Sequence, residues 1–419
     1  MTRSVTPIDH PVQAVVRPPG SKSFTNRALI VSALASGGAS RLTDPLEADD
    51  TVAMRECLRG LGVLIDDVDD PWLVLGTGGR LTAPESPLDA RASGTTARFV
   101  TAAAVLADGP VTIDGTARMR QRPMAHLLDA LTVLGANVTS NGGYPPVTIT
   151  PAPMHGGEVT IDGTASSQFV SALLMLAPML DATTTIRLAG GEVVSRPYLT
   201  STLEVMEAFG AQVEDLGDAF QVAPTGYRKA HYDIEADASA AAYPLVAAAI
   251  TGGVVSIEGI PASSTQADLA LVDVLETMGC TVERGATRIV LAATGRSLRG
   301  VDVDMNLAPD AVLALAVACL FSDGPSRIRN VGNLRIKETD RLLALETEIR
   351  RLGAGALVEG DDLLITPGPL HGAAIETYDD HRMAMSFALA GLRVPGVNII
   401  DPGCVAKTWP SFFDVLDQM

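Results

Sequence analysis

The sequence is poor in cysteine, in aromatic residues and in lysine, and it has more acidic than basic side chains. Its four cysteines are too dispersed for the framework of a disulfide-rich secreted protein, which favours reduced thiols in the cytoplasm. No apolar run reaches the roughly 20 residues of a membrane-spanning helix, and the first residues lack a secretory signal. With 49 acidic against 31 basic residues, the net charge is −18. We therefore expect a soluble cytoplasmic protein with no nucleic-acid or membrane partner.

Length and composition indicate more than one domain. Of the 419 residues, 47% are hydrophobic, enough for a substantial core, and this length favours two or three domains. Lysine occurs only as Lys22, Lys229, Lys337 and Lys407, and arginine supplies the other basic residues. Such a chain can keep lysine for positions that need a compact, titratable cation, although codon bias would give the same scarcity. We regard Lys229 as incidental and the other three as candidates for function.

A helix-ending glycine recurs along the chain at intervals of 69 to 75 residues. Before each glycine lies an amphipathic helix, and after it come two short strand-like runs around a turn. The glycine itself is typical of the left-handed residue that closes a helix. The regular spacing predicts a repeated helix–hairpin unit, although many α/β proteins contain similar segments. The five positions are Gly62, Gly135, Gly210, Gly279 and Gly353.

A second helix in each repeat is apolar on nearly all sides, which predicts that it is buried inside its domain. A strand-like segment follows each of these helices. There are six such helices but only five hairpins. We expect the N-terminal run 12–17 to complete the sixth hairpin, which would make the two termini neighbours. The six helices are expected at residues 24–34, 95–106, 168–180, 240–250, 311–321 and 382–392.

The starts of the six buried helices carry residues suited to binding anions. A helix N-terminus presents unpaired N–H groups and a positive dipole end, so hydroxyl, glycine and basic residues there fit phosphate or carboxylate. Each start alone is better explained as an ordinary helix cap. Together with basic residues in nearby loops, they predict one site for a small ligand with several negative charges. The starts are residues 20–23, 93–96, 166–168, 237–239, 308–310 and 379–382.

The sequence does not match the known motifs that bind nucleotide phosphates or metals. The run 20–23 is not a Walker A loop, because Ser21 precedes the lysine where that loop requires glycine. The run 302–307 begins like an EF-hand but has Leu307 at the position of the turn glycine. There is no His-Glu-x-x-His run and no cluster of histidine and cysteine. We therefore expect neither a metal nor a cofactor.

Five short segments carry distinctive residue patterns. They are Pro19-Gly-Ser-Lys22-Ser23-x-x-Asn26-Arg27-Ala28, Arg120-Gln-Arg122-Pro, Ser166-Ser167-Gln168-Phe, Lys337-Glu338-Thr-Asp-Arg341 and Asp380-His381-Arg382-Met-Ala-Met. In these segments, and in their order along essentially the whole chain, the sequence resembles the EPSP synthase family of enolpyruvyl transferases. The resemblance implies an α/β (α+β) fold, a two-domain inside-out α/β barrel with three helix–strand units around a pseudo-threefold axis in each domain. The implied domains are residues 1–18 with 234–419, and 19–233, with the active site in the cleft between them.

The resemblance also implies a reaction and a set of residues. The enolpyruvyl group of phosphoenolpyruvate would pass to the 5-hydroxyl of shikimate 3-phosphate, and phosphate would leave through a tetrahedral intermediate. Asp310 would remove the hydroxyl proton, Glu338 would protonate the methylene carbon, and Lys22 would assist catalysis. Phosphoenolpyruvate would be held by Lys22, Gly94, Arg122, Gln168, Arg341, Arg382 and Lys407. Shikimate 3-phosphate would be held by Lys22, Ser23, Arg27, Ser166, Ser167, Gln168, Ser195, Tyr198, Asp310, Asn333 and Lys337.

Departures and several alternatives accompany this resemblance. Phe99 follows Arg98 where the family commonly has proline. Ala92 stands where the family commonly has asparagine, whereas Gly94 is retained and predicts sensitivity to the inhibitor glyphosate. A sister transferase that uses UDP-N-acetylglucosamine has asparagine after the lysine and a loop cysteine, so Ser23 and the cysteine-free loop at 118–122 oppose that function. A non-catalytic anion-binding protein of the same fold is opposed by the intact candidate catalytic residues, and a phosphate cyclase is remote. We expect a monomer that acts on small-molecule substrates.

Overall fold

The computed structural model describes residues 1–293 and 297–419. The chain divides into two compact units. One comprises Met1–Pro19 with Glu235–Met419 and is called the discontinuous unit here, and the other, Gly20–Ile234, is called the inserted unit. The expected boundaries, after residues 18 and 233, lie one residue before these divisions. Each unit has a hydrophobic core of its own.

The helices and strands follow the repeat seen in the sequence. The helices are α1 Lys22–Leu34, α2 Asp49–Gly60, α3 Gly94–Ala103, α4 Ala125–Val133, α5 Ser167–Leu176, α6 Pro197–Ala208, α7 Ala238–Thr251, α8 Ala270–Thr277, α9 Val312–Cys319, α10 Arg341–Arg351, α11 His381–Gly391 and α12 Phe412–Leu416. The strands are β1 Thr2–Ser4, β2 Gln13–Val16, β3 Ala39–Thr43, β4 Leu64–Asp66, β5 Trp72–Leu75, β6 Leu88–Asp89, β7 Val111–Asp114, β8 Asn137–Asn141, β9 Tyr144–Thr150, β10 Glu158–Gly163, β11 Thr184–Val193, β12 Val213–Asp215, β13 Ala219–Val222, β14 His231–Asp233, β15 Val254–Glu258, β16 Thr281–Arg284, β17 Arg288–Ala292, β18 Asp302–Asp304, β19 Ser326–Arg329, β20 Gly355–Glu359, β21 Asp362–Thr366, β22 Ala374–Ile375 and β23 Asn398–Ile400.

Each repeat builds one small sheet behind a buried helix. In the inserted unit, β6 leads through α3 to the parallel strand β7, and α4 then leads to the hairpin β8–β9, which pairs antiparallel with β7. The sheets β10-β11-β13-β12 and β14-β3-β5-β4 have the same order, as do β18-β19-β21-β20 and β2-β15-β17-β16 in the discontinuous unit. Every residue of α3 and of α9 is buried, which confirms the burial predicted from their all-round apolar sequences.

The N-terminal strands differ from the expectation. The run 12–17 was expected to complete the sixth hairpin, but β2 pairs parallel with β15, at Gln13↔Val254, and so belongs to the fourth repeat. The sixth sheet is completed instead by β1, which pairs antiparallel with β23 at Thr2↔Ile400. The prediction of the pairing was wrong because side-chain alternation is the same whichever neighbour a strand pairs with. The expected proximity of the N-terminus to the last repeat is confirmed.

The repeated glycines close their helices as predicted. All five have a positive φ, between +84° at Gly62 and +114° at Gly279. A side chain is disfavoured in this left-handed region, and an added Cβ at Gly353 would also lie 2.6 Å from the carbonyl oxygen of Pro369. Each glycine thus turns the chain from an amphipathic helix into the hairpin that follows. No helix in the described ranges 1–293 and 297–419 is both long and apolar enough to cross a lipid bilayer.

Candidate active site

The helix starts of the inserted unit are joined by side-chain contacts. Lys22, the first residue of α1, places its Nζ 3.3 Å from Oδ2 of Asp50 at the start of α2. The hydroxyl of Thr96 in α3 donates to the carbonyl of Asp50 at 3.3 Å. At the start of α5, Gln168 donates from Nε2 to Oγ1 of Thr95 at 3.2 Å. The starts of three buried helices therefore meet within this unit.

Arg27 supplies a buried positive charge whose hydrogen-bond partners are neutral. The residue is only 2% exposed, and its Nε donates to Oγ1 of Thr202 at 2.7 Å. Its Nη1 and Nη2 donate to the carbonyl of Ser23 at 3.0 Å and to the hydroxyl of Ser171 at 3.3 Å. Burial lowers the pKa of Arg27 to about 10. A cation held this way attracts an anionic ligand.

Arg122 and Gly94 are in close contact. Arg122 is 5% exposed and donates from Nη1 to the carbonyl of Ala92 at 3.4 Å. A Cβ added to Gly94 would lie 2.6 Å from Nη2 of Arg122, so glycine is what leaves room for the guanidinium. The neighbouring Arg120 has a half-exposed side chain that pairs with Asp114. Arg122 is therefore the member of this arginine-rich loop that belongs with the buried helix starts.

The remaining predicted residues of the inserted unit lie at the starts of α5 and α6. Ser166 caps α5, and its side chain accepts from the backbone N–H of Gln168 at 3.3 Å. Ser167 is the first residue of α5 and is buried. Ser195 is also buried, and it adopts a left-handed φ of +56° just before α6. The carbonyl of Tyr198, in α6, accepts from Nη2 of Arg27 at 3.2 Å.

In the discontinuous unit, one guanidinium is surrounded by three carboxylates. Arg341, the first residue of α10, is 1% exposed. Its Nε lies 2.7 Å from Oδ2 of Asp380, its Nη1 lies 3.0 Å from Oδ1 of Asp310, and its Nη2 lies 2.9 Å from Oε2 of Glu338. We call Arg341 and these three acidic residues the carboxylate cluster. Burial alone would lower the pKa of Arg341, but the three carboxylates raise it above its ordinary value.

Three further cations adjoin the carboxylate cluster. Nη2 of Arg382 lies 2.9 Å from Oδ2 of Asp310, and Nζ of Lys337 lies 3.8 Å from the other oxygen of that carboxylate. Nζ of Lys407 lies 4.0 Å from Oε1 of Glu338. Lys337, Arg341, Arg382 and Lys407 thus bring four positive charges to the carboxylates of Asp310, Glu338 and Asp380. Fixed cations close to buried groups suit a negatively charged ligand.

The three carboxylates differ in their access to solvent. The Asp380 side chain is fully buried, and it also accepts the backbone N–H of Arg382 at 2.9 Å as the cap of α11. The side chains of Asp310 and Glu338 are 18% and 12% exposed to solvent. Asp380 is therefore a structural partner of Arg341, whereas Asp310 and Glu338 can reach a bound molecule.

The discontinuous unit contains further buried polar groups. The side-chain amide of Asn333 is buried, and it makes no hydrogen bond with the residues that the structure describes. Nη1 of Arg382 lies 3.5 Å from the hydroxyl of Tyr243, where burial raises the pKa of that tyrosine to about 12. Burial and the nearby Asp310 raise the pKa of Asp268 to about 6. Among the residues of known placement, no group of three or more histidine, cysteine or acidic side chains is arranged to hold a metal.

Comparison with known proteins decides the family. The model of the family described as EPSP synthase (3-phosphoshikimate 1-carboxyvinyltransferase) matches residues 7–416. The chain belongs to the EPSP synthase family. It is 44% identical over 418 residues to the 3-phosphoshikimate 1-carboxyvinyltransferase of Photobacterium profundum, which covers 97% of this chain and 96% of that protein. The protein of the same name from Nostoc punctiforme is 42% identical over 426 residues, covering 100% and 99% of the two chains.

A solved structure gives the same result for the fold. The EPSP synthase from Acinetobacter baumannii is 27% identical and aligns with a TM-score of 0.84 over 100% of this chain and 98% of that one. The family, the α/β fold class and the enzyme class expected from the sequence are thereby confirmed. The chain is an enolpyruvyl transferase of the EPSP synthase family. The roles of its individual residues stay predictions.

Some residues that position this EPSP synthase family site were not anticipated from the sequence. Asp50 pairs with Lys22, and Arg98 donates from Nη1 to Oε1 of Gln168. Asp380 was part of a recognised motif but had no assigned role, although it pairs with Arg341 through two oxygens. Asp50 and Asp380 lie at helix starts, where acidic residues usually cap the helix or favour its dipole, so their sequence positions gave no distinct signal.

Proposed function

We propose that this chain transfers the enolpyruvyl group of phosphoenolpyruvate to the 5-hydroxyl of shikimate 3-phosphate and releases phosphate. Membership of the family over the full chain supports this reaction. The observation that carries the chemistry is the pair of partly exposed carboxylates, Asp310 and Glu338, held by Arg341 beside two lysines. Two carboxylates that reach the ligand, next to fixed cations, are what a proton-transfer reaction on a phosphorylated acid requires.

The reaction needs two proton transfers and a leaving phosphate. Asp310 takes the proton of the 5-hydroxyl as that oxygen attacks C2 of phosphoenolpyruvate. Glu338 donates a proton to the methylene carbon, which gives a tetrahedral intermediate. The methyl carbon of the intermediate then returns a proton to Glu338, and phosphate leaves C2 with the proton that Asp310 took, which restores the double bond in the product. Acid–base catalysis of this kind contributes about 10²–10⁴-fold, and fixed cations and alignment of the reactants contribute the rest.

The binding roles follow the charges of the two units. We propose that Lys22, Gly94, Arg122 and Gln168 act with Arg341, Arg382 and Lys407 on phosphoenolpyruvate. Shikimate 3-phosphate would take Arg27 as a partner for one of its anionic groups, since this buried cation has neutral partners. The other residues proposed for it are Lys22, Ser23, Ser166, Ser167, Gln168, Ser195, Tyr198, Asp310, Asn333 and Lys337. The proposed acid and base lie in the discontinuous unit, and Arg27 lies in the inserted unit.

Two alternatives remain to be separated from this proposal by experiment. The protein is incubated with phosphoenolpyruvate and either shikimate 3-phosphate or UDP-N-acetylglucosamine, and the products are identified by mass spectrometry. We expect a carboxyvinyl product from shikimate 3-phosphate alone. A product from the sugar nucleotide would favour the sister transferase. No product from either acceptor, or unchanged turnover in the Glu338→Ala variant, would favour the non-catalytic anion-binding protein.

Replacing Gly94 by alanine should weaken binding of phosphoenolpyruvate. The new Cβ would displace the Arg122 guanidinium, while alanine itself suits the first turn of α3. We expect the KM for phosphoenolpyruvate to rise roughly tenfold or more, the cost of one charge-assisted hydrogen bond, with the KM for shikimate 3-phosphate unchanged. Gly324→Ala is the matched control, because a Cβ there meets nothing within 4 Å. Equal KM values in both variants and the wild type would contradict the assignment.

Glyphosate should inhibit the wild-type enzyme. Gly94 leaves the Arg122 guanidinium undisturbed, and no side chain at this position intrudes on the proposed phosphoenolpyruvate site. Inhibition is expected at concentrations comparable with the KM for phosphoenolpyruvate, and Gly94→Ala should reduce it. Steady-state kinetics at several inhibitor concentrations provides the measurement. Inhibition that begins only far above that KM would show the expectation to be wrong.

We also propose that the protein is a monomer in the cytoplasm. Cys57, Cys280, Cys319 and Cys404 are free thiols, and the first three are buried. Burial raises the pKa of Cys319 to about 12, which keeps this thiol protonated and unreactive. Such thiols fit a reducing compartment. Sedimentation equilibrium over a range of protein concentrations tests the monomeric state.

A further inference from the structure

A strained turn lies immediately before α11, the helix that Asp380 caps and that carries Arg382. The backbone N–H of Asp380 donates to the carbonyl of Thr377 at 2.9 Å, which closes a four-residue turn. Both central residues, Tyr378 and Asp379, have a φ of +55°. A turn with two left-handed central residues usually contains asparagine or glycine there, so tyrosine in the first of these positions is costly. The surrounding contacts must therefore hold this conformation.

Glu348 provides those contacts. It is a fully buried acidic residue on α10, and the proposed chemistry does not use it. The hydroxyl of Tyr378 donates to its Oε1 at 2.7 Å, and the backbone N–H of Glu376 donates to its Oε2 at 3.3 Å. Arg351 lies 3.3 Å from the same carboxylate oxygen. Burial raises the pKa of Glu348, and the hydrogen bond from Tyr378 opposes that shift.

Burial of the Tyr378 ring does not explain why the turn keeps its strained conformation. Tyr378 as a whole is 38% exposed, whereas the Glu348 that binds its hydroxyl is completely enclosed. The hydrogen bond from Tyr378 to a buried carboxylate is therefore a contact that favours this conformation, and hydrogen bonds to charged groups are the stronger ones.

The same helix holds both sides of the turn. Arg341 and Glu348 are seven residues apart on α10, so they share one face of the helix. Arg341 binds Asp380, the last residue of the turn, and Glu348 binds Tyr378, one of its two central residues. The direction in which Asp380 and Arg382 leave the turn is thus fixed at two points.

We infer that Glu348 and Tyr378 form a clamp that positions Asp380 and Arg382, and through them Arg341, for binding phosphoenolpyruvate. Without the hydroxyl contact, the turn relaxes toward ordinary negative φ values, and the cap that Asp380 gives to α11 moves with it. Arg382 then loses its placement against Asp310, from which its Nη2 lies 2.9 Å away. Glu348 and Tyr378 are positioning residues, because neither belongs to the carboxylate cluster. The inference rests on the proposed phosphoenolpyruvate site.

The clamp is tested by the kinetics of Tyr378→Phe, Glu348→Ala and Glu348→Gln. We expect Tyr378→Phe and Glu348→Ala to raise the KM for phosphoenolpyruvate about tenfold, the loss of one charge-assisted hydrogen bond. Their kcat and their KM for shikimate 3-phosphate should stay within about threefold of the wild type, which is less than the loss of one such hydrogen bond would cause. Glu348→Gln keeps an oxygen that accepts from Tyr378, so it should recover most of the affinity.

A control separates positioning from general loss of stability. Ile349 is the next residue of α10 and is fully buried in the core, so Ile349→Val removes one buried methyl group and leaves Glu348 and Tyr378 unchanged. It should lower the melting temperature and leave the KM for phosphoenolpyruvate unchanged. The inference is overturned if Tyr378→Phe has a wild-type KM, or if Ile349→Val raises that KM as much.

Binding measured without turnover distinguishes failure of the clamp from failure of the proposed function. If the wild type binds phosphoenolpyruvate by calorimetry but forms no product, the proposed reaction fails, and the clamp is judged by the binding constants of the same variants. If the wild type turns over and all variants match it, the clamp alone fails. A wild type that does not bind phosphoenolpyruvate overturns both.

Discussion

Asp310→Asn should lower kcat by about 10²–10⁴-fold while the protein stays folded. Asparagine keeps the shape of the side chain and one of its two acceptor oxygens. Arg341 and Arg382 donate to different oxygens of Asp310, at 3.0 and 2.9 Å, so one of these two hydrogen bonds is kept. Asparagine cannot accept the proton of the 5-hydroxyl, so the loss should appear in kcat more than in either KM. Single-turnover measurements of product formation, which exclude product release, provide the readout.

Asp362→Asn is the control for this substitution. Its side chain is 15% exposed, close to the 18% of Asp310, and it also pairs with an arginine, Arg327, at 2.6 Å. This pair lies on strands β19 and β21, away from the carboxylate cluster. Wild-type turnover is expected in Asp362→Asn. Turnover by Asp310→Asn within tenfold of the wild type would remove this residue from the role of base.

Arg341→Met should abolish binding of phosphoenolpyruvate and lower the free energy of unfolding by about 3–5 kcal/mol. The substitution leaves the fully buried Asp380 without the guanidinium that binds both of its oxygens, at 2.7 and 3.2 Å. Breaking a buried ion pair on one side is costly because the remaining charge stays out of water. Arg341→Lys restores the charge but not the planar fork that serves three carboxylates, so it should recover stability better than affinity.

Arg327→Met is the control for Arg341→Met. It removes a paired arginine that is exposed, so it shows how much of the lost stability depends on burial of the ion pair. The Arg327 guanidinium also contacts two carboxylates, those of Asp362 and Glu359, but its side chain is 42% exposed. Exposed ion pairs contribute at most about 1 kcal/mol, so Arg327→Met should be nearly as stable as the wild type and fully active. Equal destabilisation of the two variants in urea unfolding would contradict the special position of Arg341.

Much of the architecture could be predicted because it depends on local signals. The glycine at the end of each amphipathic helix is required by a left-handed backbone, and all-round apolar helices must be buried. Caps such as Ser93 and Asp380 mark where α3 and α11 begin. These features act within a few residues, so a single sequence contains them.

Pairings between residues far apart in the chain were harder to predict from the sequence. The strand β2 pairs with β15, and β1 with β23, across most of the chain, and side-chain alternation does not specify a partner. Asp380 binds Arg341 from 39 positions away, and Asp50 holds Lys22 from the next helix. Packing of whole helices creates these contacts. The residues that bear the proposed chemistry were therefore easier to find than those that hold them in place.

Phosphate release from phosphoenolpyruvate, with and without shikimate 3-phosphate, tests the central claim most directly. If both substrates meet at fixed cations between the acid Glu338 and the base Asp310, each mole of phosphate should appear with one mole of shikimate 3-phosphate consumed. No phosphate should appear without shikimate 3-phosphate. With both substrates present, the Asp310→Asn variant should release no phosphate on the timescale of the wild-type reaction. Phosphate release that is independent of shikimate 3-phosphate, or its absence when both substrates are present, would contradict the account.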